Sequence, residues 1–294
     1  MDPSARTLGI LAALLTPFRE DGSIDRARFA AHAADVIGRG ADGVAPFGTT
    51  GEGASIGFEE RAAALDAMLA AGVAPGRIVL GVCASAVPDA AAQLAQGLAR
   101  GIERFLVVPP FYFPDPGAAG LRAWHEELLA ASEARAGIVL YHIPQMTGTP
   151  LPAGMVADLA AAHPDRILAI KDSSGDWDTA RGLLERGRPP VLVGDERLLH
   201  RALARGGGGS INGMANLWPE RLAHVMRTRR EDAALSREVD AVVAGPIIPS
   251  LKALMARRTG HDGWRRVRAP LAELADDARA RLLSRADLPP DPTR

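Results

Sequence analysis

Short apolar runs alternate with longer amphipathic segments along most of the chain. The apolar runs predict strands at residues 8–15, 42–47, 77–83, 104–108, 137–143, 166–171, 190–193 and 208–212. These runs are rich in Val, Ile and Leu and are apolar on both faces, which is typical of parallel strands covered on both sides. The pattern therefore predicts a parallel sheet with helices packed on it.

The amphipathic segments predict a helix after each strand. One helix begins after residues 24–25 and another near Pro219, and the remainder lie at residues 58–71, 88–100, 120–134, 153–162, 177–185 and 197–204. Eight strand–helix units in roughly 210 residues approach the roughly 250 residues typical of a (β/α)8 barrel. We therefore predict a (β/α)8 TIM barrel. An open doubly wound sheet is the alternative, but no Gly-x-Gly-x-x-Gly follows the first strand.

The C-terminal part of the chain contains three further amphipathic segments. They predict helices at residues 231–244, 250–258 and 270–284, separated by a Gly-Pro break at 245–246 and a Gly-His-Asp-Gly break at 260–263. We predict a catalytic barrel over residues 1–230 and a helical extension of the same domain over residues 231–294. The tail at residues 288–294 contains three prolines and is expected to be disordered.

Charge and composition favour a small-molecule partner. The formal net charge is −1 with acids and bases interspersed, so no basic surface for nucleic acid or an anionic membrane is expected. The single cysteine, Cys83, lies in an apolar run and is expected to be a buried, inert thiol in a reducing compartment. Residues 1–9 lack a basic segment followed by a long apolar core, and no apolar run approaches the ~20 residues that span a bilayer. We expect a soluble, cytoplasmic protein.

Lys171 ends the sixth predicted strand and is the first candidate for chemistry. Only two of the 34 basic residues are lysines, Lys171 and Lys252, and arginine cannot deprotonate to form an imine. An amine attacks a ketone only when unprotonated, and desolvation beside an apolar core favours that form. The structural alternative is a strand-end lysine paired with Asp172. Lys252 is the alternative amine, but it follows a Pro-Ser-Leu sequence at a helix start and is better explained as a structural or ion-pairing residue.

The ends of other strands carry hydroxyl groups that could act with Lys171. Tyr141 ends the fifth strand, about 5 Å from the sixth, and is close enough to share a proton with the amine. Thr49 and Thr50 follow the second strand in a glycine-rich turn, where they could hold a carboxylate. Tyr112 follows the fourth strand, so both tyrosines of the chain lie at strand ends. Each feature alone has a structural alternative, an ordinary turn or a packing tyrosine, but barrels of this kind place their reacting groups on this face.

The histidines do not suggest a metal site. Strand alternation directs His142 away from Tyr141, so we interpret His142 as a packing residue. The other histidines show no metal-ligand spacing, which argues against a metal-dependent aldolase or hydrolase. We expect chemistry that uses no metal and no cofactor.

Three motifs together resemble the dihydrodipicolinate synthase/N-acetylneuraminate lyase family. They are Gly-Thr-Thr-Gly-Glu at residues 48–52, Tyr-His-Ile-Pro at 141–144 and Ile-Lys-Asp-Ser-Ser-Gly-Asp at 170–176, and their order and spacing agree over nearly the whole chain. The resemblance implies a barrel enzyme with a metal-free class I mechanism. In such a mechanism an amine condenses with a 2-oxo acid, typically pyruvate, and gives an imine that becomes an enamine.

The resemblance also implies the roles of individual residues. Lys171 would be the amine, Tyr141 the general acid and base, and Thr49 the relay hydroxyl. Thr50 would bind the carboxylate of the oxo acid, and Ile211 would contact it through the backbone. A protonated imine withdraws electrons and lowers the cost of a carbanion at the adjacent carbon, so these roles form one consistent mechanism.

Tyr112 matches a tyrosine that, in tetrameric members, completes the relay in the neighbouring subunit. The resemblance therefore implies a homotetramer, built as a dimer of dimers. The chain also departs from the family: Met146 stands where the synthases usually carry an arginine for the second substrate's carboxylate, and Gln145 precedes it. Phe111 and Gly53 stand where many synthases carry tyrosine and serine, which weakens the case for feedback control by lysine.

These features favour a Schiff-base lyase, an aldolase or a dehydratase, that acts on pyruvate or on a 2-keto-3-deoxy or hydroxy-2-oxo acid. The alternative within the family is 4-hydroxy-tetrahydrodipicolinate synthase, which condenses pyruvate with aspartate semialdehyde. A catalytically retired barrel that binds an oxo acid is the alternative from another class.

Overall fold

The computed structural model describes residues 7–285 and contains eight parallel strands. They are β1 (Gly9–Ala13), β2 (Gly43–Ala45), β3 (Val79–Val82), β4 (Arg104–Val107), β5 (Gly137–His142), β6 (Ile167–Asp172), β7 (Val191–Val193) and β8 (Gly209–Asn212). Their order in the sheet is β2-β1-β8-β7-β6-β5-β4-β3, and a parallel bridge between Val44 and Ile78 joins the two ends. The predicted TIM barrel is confirmed. The tail predicted to be disordered, residues 288–294, lies outside the described residues.

Helices follow the strands and cover the outside of the barrel. They are α1 (Arg26–Gly38), α2 (Phe58–Ala70), α3 (Val87–Leu98), α4 (Gly117–Ala130), α5 (Pro144–Thr147), α6 (Ala153–Ala162), α7 (Trp177–Glu185), α8 (Leu199–Leu203) and α9 (Pro219–Thr228). Three more follow: α10 (Ala233–Val243), α11 (Ile247–Thr259) and α12 (Asp276–Arg285). The predicted boundary at residue 230 lies between α9 and α10.

Aspartates begin several of these helices. Asp25, Asp176 and Asp232 stand before α1, α7 and α10, and each side chain accepts a hydrogen bond from a backbone N–H in the first turn. Such a cap satisfies a donor that the helix itself leaves unpaired. Helix starts with this signal were predicted to within two residues.

Three predicted helix starts are wrong. α4 begins at Gly117 rather than residue 120. α11 begins at Ile247 rather than residue 250, because Pro249 falls in the first turn, where no internal hydrogen bond is lost. α12 begins at Asp276 rather than residue 270, with Asp276 and Asp277 in its first turn. Acidic residues at that end interact favourably with the helix dipole. The short helix α5 was not predicted.

Strand side chains divide between two apolar layers. One set points outward against the helices, and the other fills the barrel interior, where Val139, Tyr141 and Ala169 lie. Tyr141 and Lys171 are direct partners in the β5–β6 register. Because residues in register on neighbouring parallel strands point to the same face, the pairing brings both side chains together inside the barrel.

Among residues 7–285, no single helix is long and apolar enough to cross a membrane. α10 and α11 reach that length and composition only as a pair, across a bend of 120°. Leu251 and Leu254 of α11 are buried in the protein core.

Candidate active site

Lys171 and Tyr141 form the centre of a cluster at the carboxyl end of the barrel. Nζ of Lys171 donates to Oη of Tyr141 at 3.0 Å, and Oη donates to Oγ1 of Thr49 at 3.4 Å. The Lys171 side chain lies over the Tyr141 ring, with Nζ 4.1 Å from the ring centroid. Lys171 is only 4% exposed. Three of the predicted residues therefore form one hydrogen-bonded chain of amine, phenol and hydroxyl.

The alternative in which Lys171 pairs with Asp172 is wrong. The two residues are consecutive in β6 and point to opposite faces, so Asp172 lies outside the barrel with His142, its register partner. Oδ1 of Asp172 accepts the N–H of Ser174 at 3.0 Å, and Nδ1 of His142 accepts the N–H of Leu151 at 3.0 Å. Burial raises the pKa of Asp172 and lowers that of His142. The interpretation of His142 as a packing residue is confirmed.

The turn that carries Thr49 and Thr50 is held close to the strand before it. Phe47 has a positive φ of 58°, and the turn folds back over its backbone. A Cβ on Gly51 would lie 2.9 Å from the Phe47 nitrogen, and one on Gly53 would collide with the Phe47 carbonyl. Only glycine allows so close an approach. The glycines therefore place both threonines at the rim of the barrel, next to Tyr141.

A cavity of about 550 Å³ opens above this cluster. Five of the six predicted site residues line it: Lys171, Tyr141, Thr49, Thr50 and Ile211. Its size falls in the range of small-molecule pockets, roughly 300–1,000 Å³. The geometry therefore joins a buried amine, a proton donor and small hydroxyl side chains in one concave space.

Tyr112 is the predicted residue that does not line this cavity. Its side chain is 86% exposed and contacts the Phe113 ring edge to face, with centroids 5.4 Å apart. The backbone of Tyr112 has a φ of 95°, which is unusual for a residue with a side chain. Within one chain, Tyr112 takes no part in the cluster.

Glu196 is a site residue that the sequence reasoning missed. It lines the cavity on the turn after β7, and its Oε1 accepts the N–H of Met214 at 2.8 Å. Burial, with a smaller contribution from Asp195, raises the pKa of Glu196 to about 7, and the charge of Lys171 opposes that rise. The signal was present: acidic residues directly after a barrel strand stand on the face that carries the chemistry.

Lys252, the other lysine, is held in the protein core. Its Nζ forms an ion pair with Glu52 and donates to the carbonyl of Arg266 at 2.6 Å. Both side chains of the pair are fully buried, and desolvation lowers the pKa of Lys252 to about 8. The prediction that Lys252 is an ion-pairing residue is confirmed, and Lys252 is not among the residues that line the cavity.

Cys83 is only partly buried, whereas the sequence predicts a buried thiol, because Cys83 directly follows the last residue of β3. Desolvation still raises the pKa of its thiol.

In the part of the chain that the structure describes, no group of three or more His, Cys, Asp or Glu side chains is placed to hold a metal ion.

Comparison with known proteins connects this geometry to a family. The model of the dihydrodipicolinate synthetase family matches residues 6–286, nearly the whole chain. The chain belongs to the dihydrodipicolinate synthetase family. The resemblance predicted from the three motifs is confirmed.

Relatives within the dihydrodipicolinate synthetase family are named as synthases or lyases, and one solved structure shares the fold. The crystal structure of dihydrodipicolinate synthase from Agrobacterium tumefaciens superimposes with a TM-score of 0.92 at 38% identity, covering 95% of this chain and 98% of that one. An uncharacterized DapA-like lyase of Chloroflexus aurantiacus is 34% identical over 74% of this chain and 73% of its own length. A 4-hydroxy-tetrahydrodipicolinate synthase of Methanosarcina mazei is 28% identical over 93% of this chain and 95% of its own. Membership of this family supports the assignment of the protein as a lyase.

Proposed function

We propose that the protein is a class I, metal-independent lyase that joins a 2-oxo acid, pyruvate in the simplest case, to Lys171 as an imine. The observation that carries this proposal is the 3.0 Å contact between Nζ of Lys171 and Oη of Tyr141 inside the cavity. Among residues 7–285, no carboxylate forms an ion pair with Lys171, whereas Lys252 is paired with Glu52. A buried amine that no carboxylate holds in an ion pair can act as a nucleophile.

The arrangement can carry each proton of the reaction. Nζ adds to the carbonyl carbon of the oxo acid, and the oxygen leaves as water with one proton from the amine and one from Tyr141. Tyr141, now ionised, removes a proton from the adjacent carbon and produces an enamine. The enamine carbon then bonds to the carbonyl carbon of an aldehyde, Tyr141 protonates the new alkoxide, and water releases the product from the lysine. The reverse sequence cleaves a hydroxy-2-oxo acid.

The remaining predicted residues hold the substrate in this proposal. Thr50 and the turn around it bind the carboxylate through hydroxyl and backbone N–H groups, and Ile211 contacts the oxo acid from β8. Thr49 relays protons from Tyr141. In this proposal Tyr112 reaches the site of a second subunit, as in the tetrameric members of the family, and the protein is a homotetramer. We also propose that it is located in the cytoplasm.

The synthase reaction is the second candidate, because several relatives carry that name. Aspartate semialdehyde brings a second carboxylate, which needs a cation near the cavity mouth. Met146 lines the cavity in the segment where the synthases usually carry arginine, and its thioether cannot bind an anion. We therefore favour another aldehyde. A retired barrel is disfavoured because the amine, the phenol and the hydroxyl are all in contact.

Borohydride trapping tests the proposal. We expect reduction in the presence of pyruvate to attach a stable adduct to the peptide that contains Lys171, detected by mass analysis after digestion. Because the chain has only two lysines, the Lys252 peptide of the same sample is an internal control. Lys171→Arg keeps the positive charge but cannot form an imine, and it should give no adduct. Tyr141→Phe should trap about 100-fold more slowly, since a general acid contributes on that order.

Two results would contradict the proposal. One is an adduct on Lys252 or on neither lysine in a folded protein. The other is an unchanged trapping rate in Tyr141→Phe, which would remove the phenol from imine formation. Initial rates with pyruvate and aspartate semialdehyde, measured in parallel, separate the lyase from the synthase.

A further inference from the structure

The cavity above Lys171 has two chemically different ends. Lys171, Tyr141 and Thr49 form the inner end, whereas α10, α11 and the segment after β5 form the outer end. Three apolar side chains line that outer end and remain open to solvent: Met146 is 60% exposed, Val243 41% and Ile247 48%. Behind them, Val239, Val242 and Ile248 line the cavity from buried positions.

The charged groups of the cavity offer an anion little attraction. Among the described residues, the cationic side chains that line the cavity are Lys171 and Arg197. Arg197 binds both oxygens of Asp195, at 2.6 and 3.0 Å, and contacts Asp240 at 2.7 Å. Its charge is therefore already neutralised. Asp195 and Glu196 line the same side of the cavity and supply no positive charge. Burial raises the pKa of Glu196 to about 7, so near pH 7 this side chain is partly neutral and partly negative.

We propose that the outer end binds an uncharged, apolar substituent on the second substrate, so that the acceptor is an aliphatic or aromatic aldehyde. The product would be a 4-hydroxy-2-oxo acid that carries this apolar group on C4. A three-carbon oxo acid fills only the inner part of a cavity of about 550 Å³, so the outer part remains for the acceptor. Exposed apolar side chains that line one cavity beside a reactive centre are typical of ligand contacts. The inference rests on the proposed function, since it assumes an enamine at Lys171.

The test compares three acceptors under one condition. Purified enzyme with pyruvate is given hexanal, glyceraldehyde or aspartate semialdehyde, and formation of the carbon–carbon bond is followed by chromatography. We expect kcat/KM to be at least tenfold higher for hexanal than for either other aldehyde, because apolar contacts of two or three methylenes yield about that ratio. Borohydride trapping with pyruvate alone is run on every sample.

Variants at the outer end connect this preference to the structure. Ile247→Ser should lower kcat/KM for hexanal about fivefold and Ile247→Ser with Val243→Ser about twentyfold, with pyruvate trapping unchanged. Ala244→Ser is the matched control, because Ala244 is exposed in the same segment but does not line the cavity. Met146→Arg should raise kcat/KM for aspartate semialdehyde at least tenfold, because it supplies a cation.

The outcomes separate the two proposals. No trapping at Lys171 overturns the proposed function and this inference together. Trapping with equal or better use of glyceraldehyde or aspartate semialdehyde overturns the inference alone. Trapping with a preference for hexanal that the serine variants do not change also overturns it. If those variants instead alter only the sedimentation of the protein, the apolar side chains serve contact between copies of the chain, and the inference is again wrong.

Discussion

Glu196 is the residue whose environment gives the site a pH dependence near neutrality. Burial raises its pKa from an ordinary value of 4.5 to about 7, so the folded protein holds this proton more tightly than the unfolded chain does. The associated stability is fully present below about pH 4.5 and falls as the pH rises to about 7, because the unfolded chain releases the proton first. The largest change this shift allows is roughly 3 kcal/mol.

Urea unfolding at pH 5 and pH 8 checks this prediction. We expect the stability of Glu196→Gln relative to wild type to increase with pH, because the amide cannot ionise at this half-buried position. Glu127→Gln removes a carboxylate from the exposed face of α4 and controls for the change in net charge. A stability difference between Glu196→Gln and wild type that is the same at both pH values would contradict a raised pKa in the folded protein.

A single site residue could be predicted where two independent signals, a rare residue type and a position at the end of a strand, coincide. Lys171 is one of two lysines and also ends a strand, and Tyr141 is one of two tyrosines and ends the neighbouring strand. Asp195 and Glu196 have only the second signal, their position after a strand. An acidic residue before a helical turn is also an ordinary helix cap, and Asp195 does accept the N–H of Arg197. The burial of Glu196 depends on tertiary packing around the turn, which local sequence does not specify.

At the scale of elements, the turn after β2 is connected to the C-terminal helices by one buried ion pair. Lys252 of α11 contacts Glu52, which lies two residues after Thr50, and the second oxygen of Glu52 accepts the N–H of Arg268 at 2.7 Å. Nζ of Lys252 also lies 4.3 Å from the centroid of the Phe18 ring. The helices therefore help to position the threonines.

Breaking this pair should be costly. Lys252→Met leaves the buried Glu52 carboxylate without its ion-pair partner, and we expect a loss of about 3–5 kcal/mol in the free energy of unfolding. Adding Glu52→Gln should recover part of that loss, with a coupling energy of about 2 kcal/mol in a double-mutant cycle from urea unfolding. In contrast, Arg181→Ala, which removes exposed pairs with Asp178 and Glu185, should cost less than about 1 kcal/mol. Additive effects at Lys252 and Glu52 would show that the pair does not couple the two elements.

The elements themselves were largely predictable because parallel strands are short and continuously apolar. α6 and α7 begin and end as predicted, since each is bounded by clear signals such as the Asp176 cap. β2 stops at Ala45 rather than residue 47, because Phe47 turns into the left-handed region to begin the threonine turn. That departure depends on contacts with Gly51 and Gly53, which a periodicity argument does not include.

For the whole molecule, the inner end of the cavity was more predictable than the outer end. The barrel brings all its strand ends to one face, so residues from β2, β5, β6 and β8 meet there wherever the loops go. The outer wall comes from α10 and α11, whose positions depend on packing between distant parts of the chain. The sequence therefore predicts that Val243 and Ile247 belong to the helical extension, but it does not predict that they line the cavity.

Tyr112 belongs to the scale of the assembled protein. Its ring is exposed, so within one chain its hydroxyl takes no part in the active-site cluster. Its φ of 95° is strained, and strained backbone of this kind is usually retained for a contact or a reaction. We predict that Tyr112 enters the proton relay of a second subunit. Tyr112→Phe should then lower kcat at least about tenfold, with unchanged sedimentation as an oligomer. Phe113→Leu alters the neighbouring exposed ring without removing a hydroxyl and should keep the wild-type kcat. A fully active monomer in sedimentation, or full activity in Tyr112→Phe, would exclude Tyr112 from the mechanism.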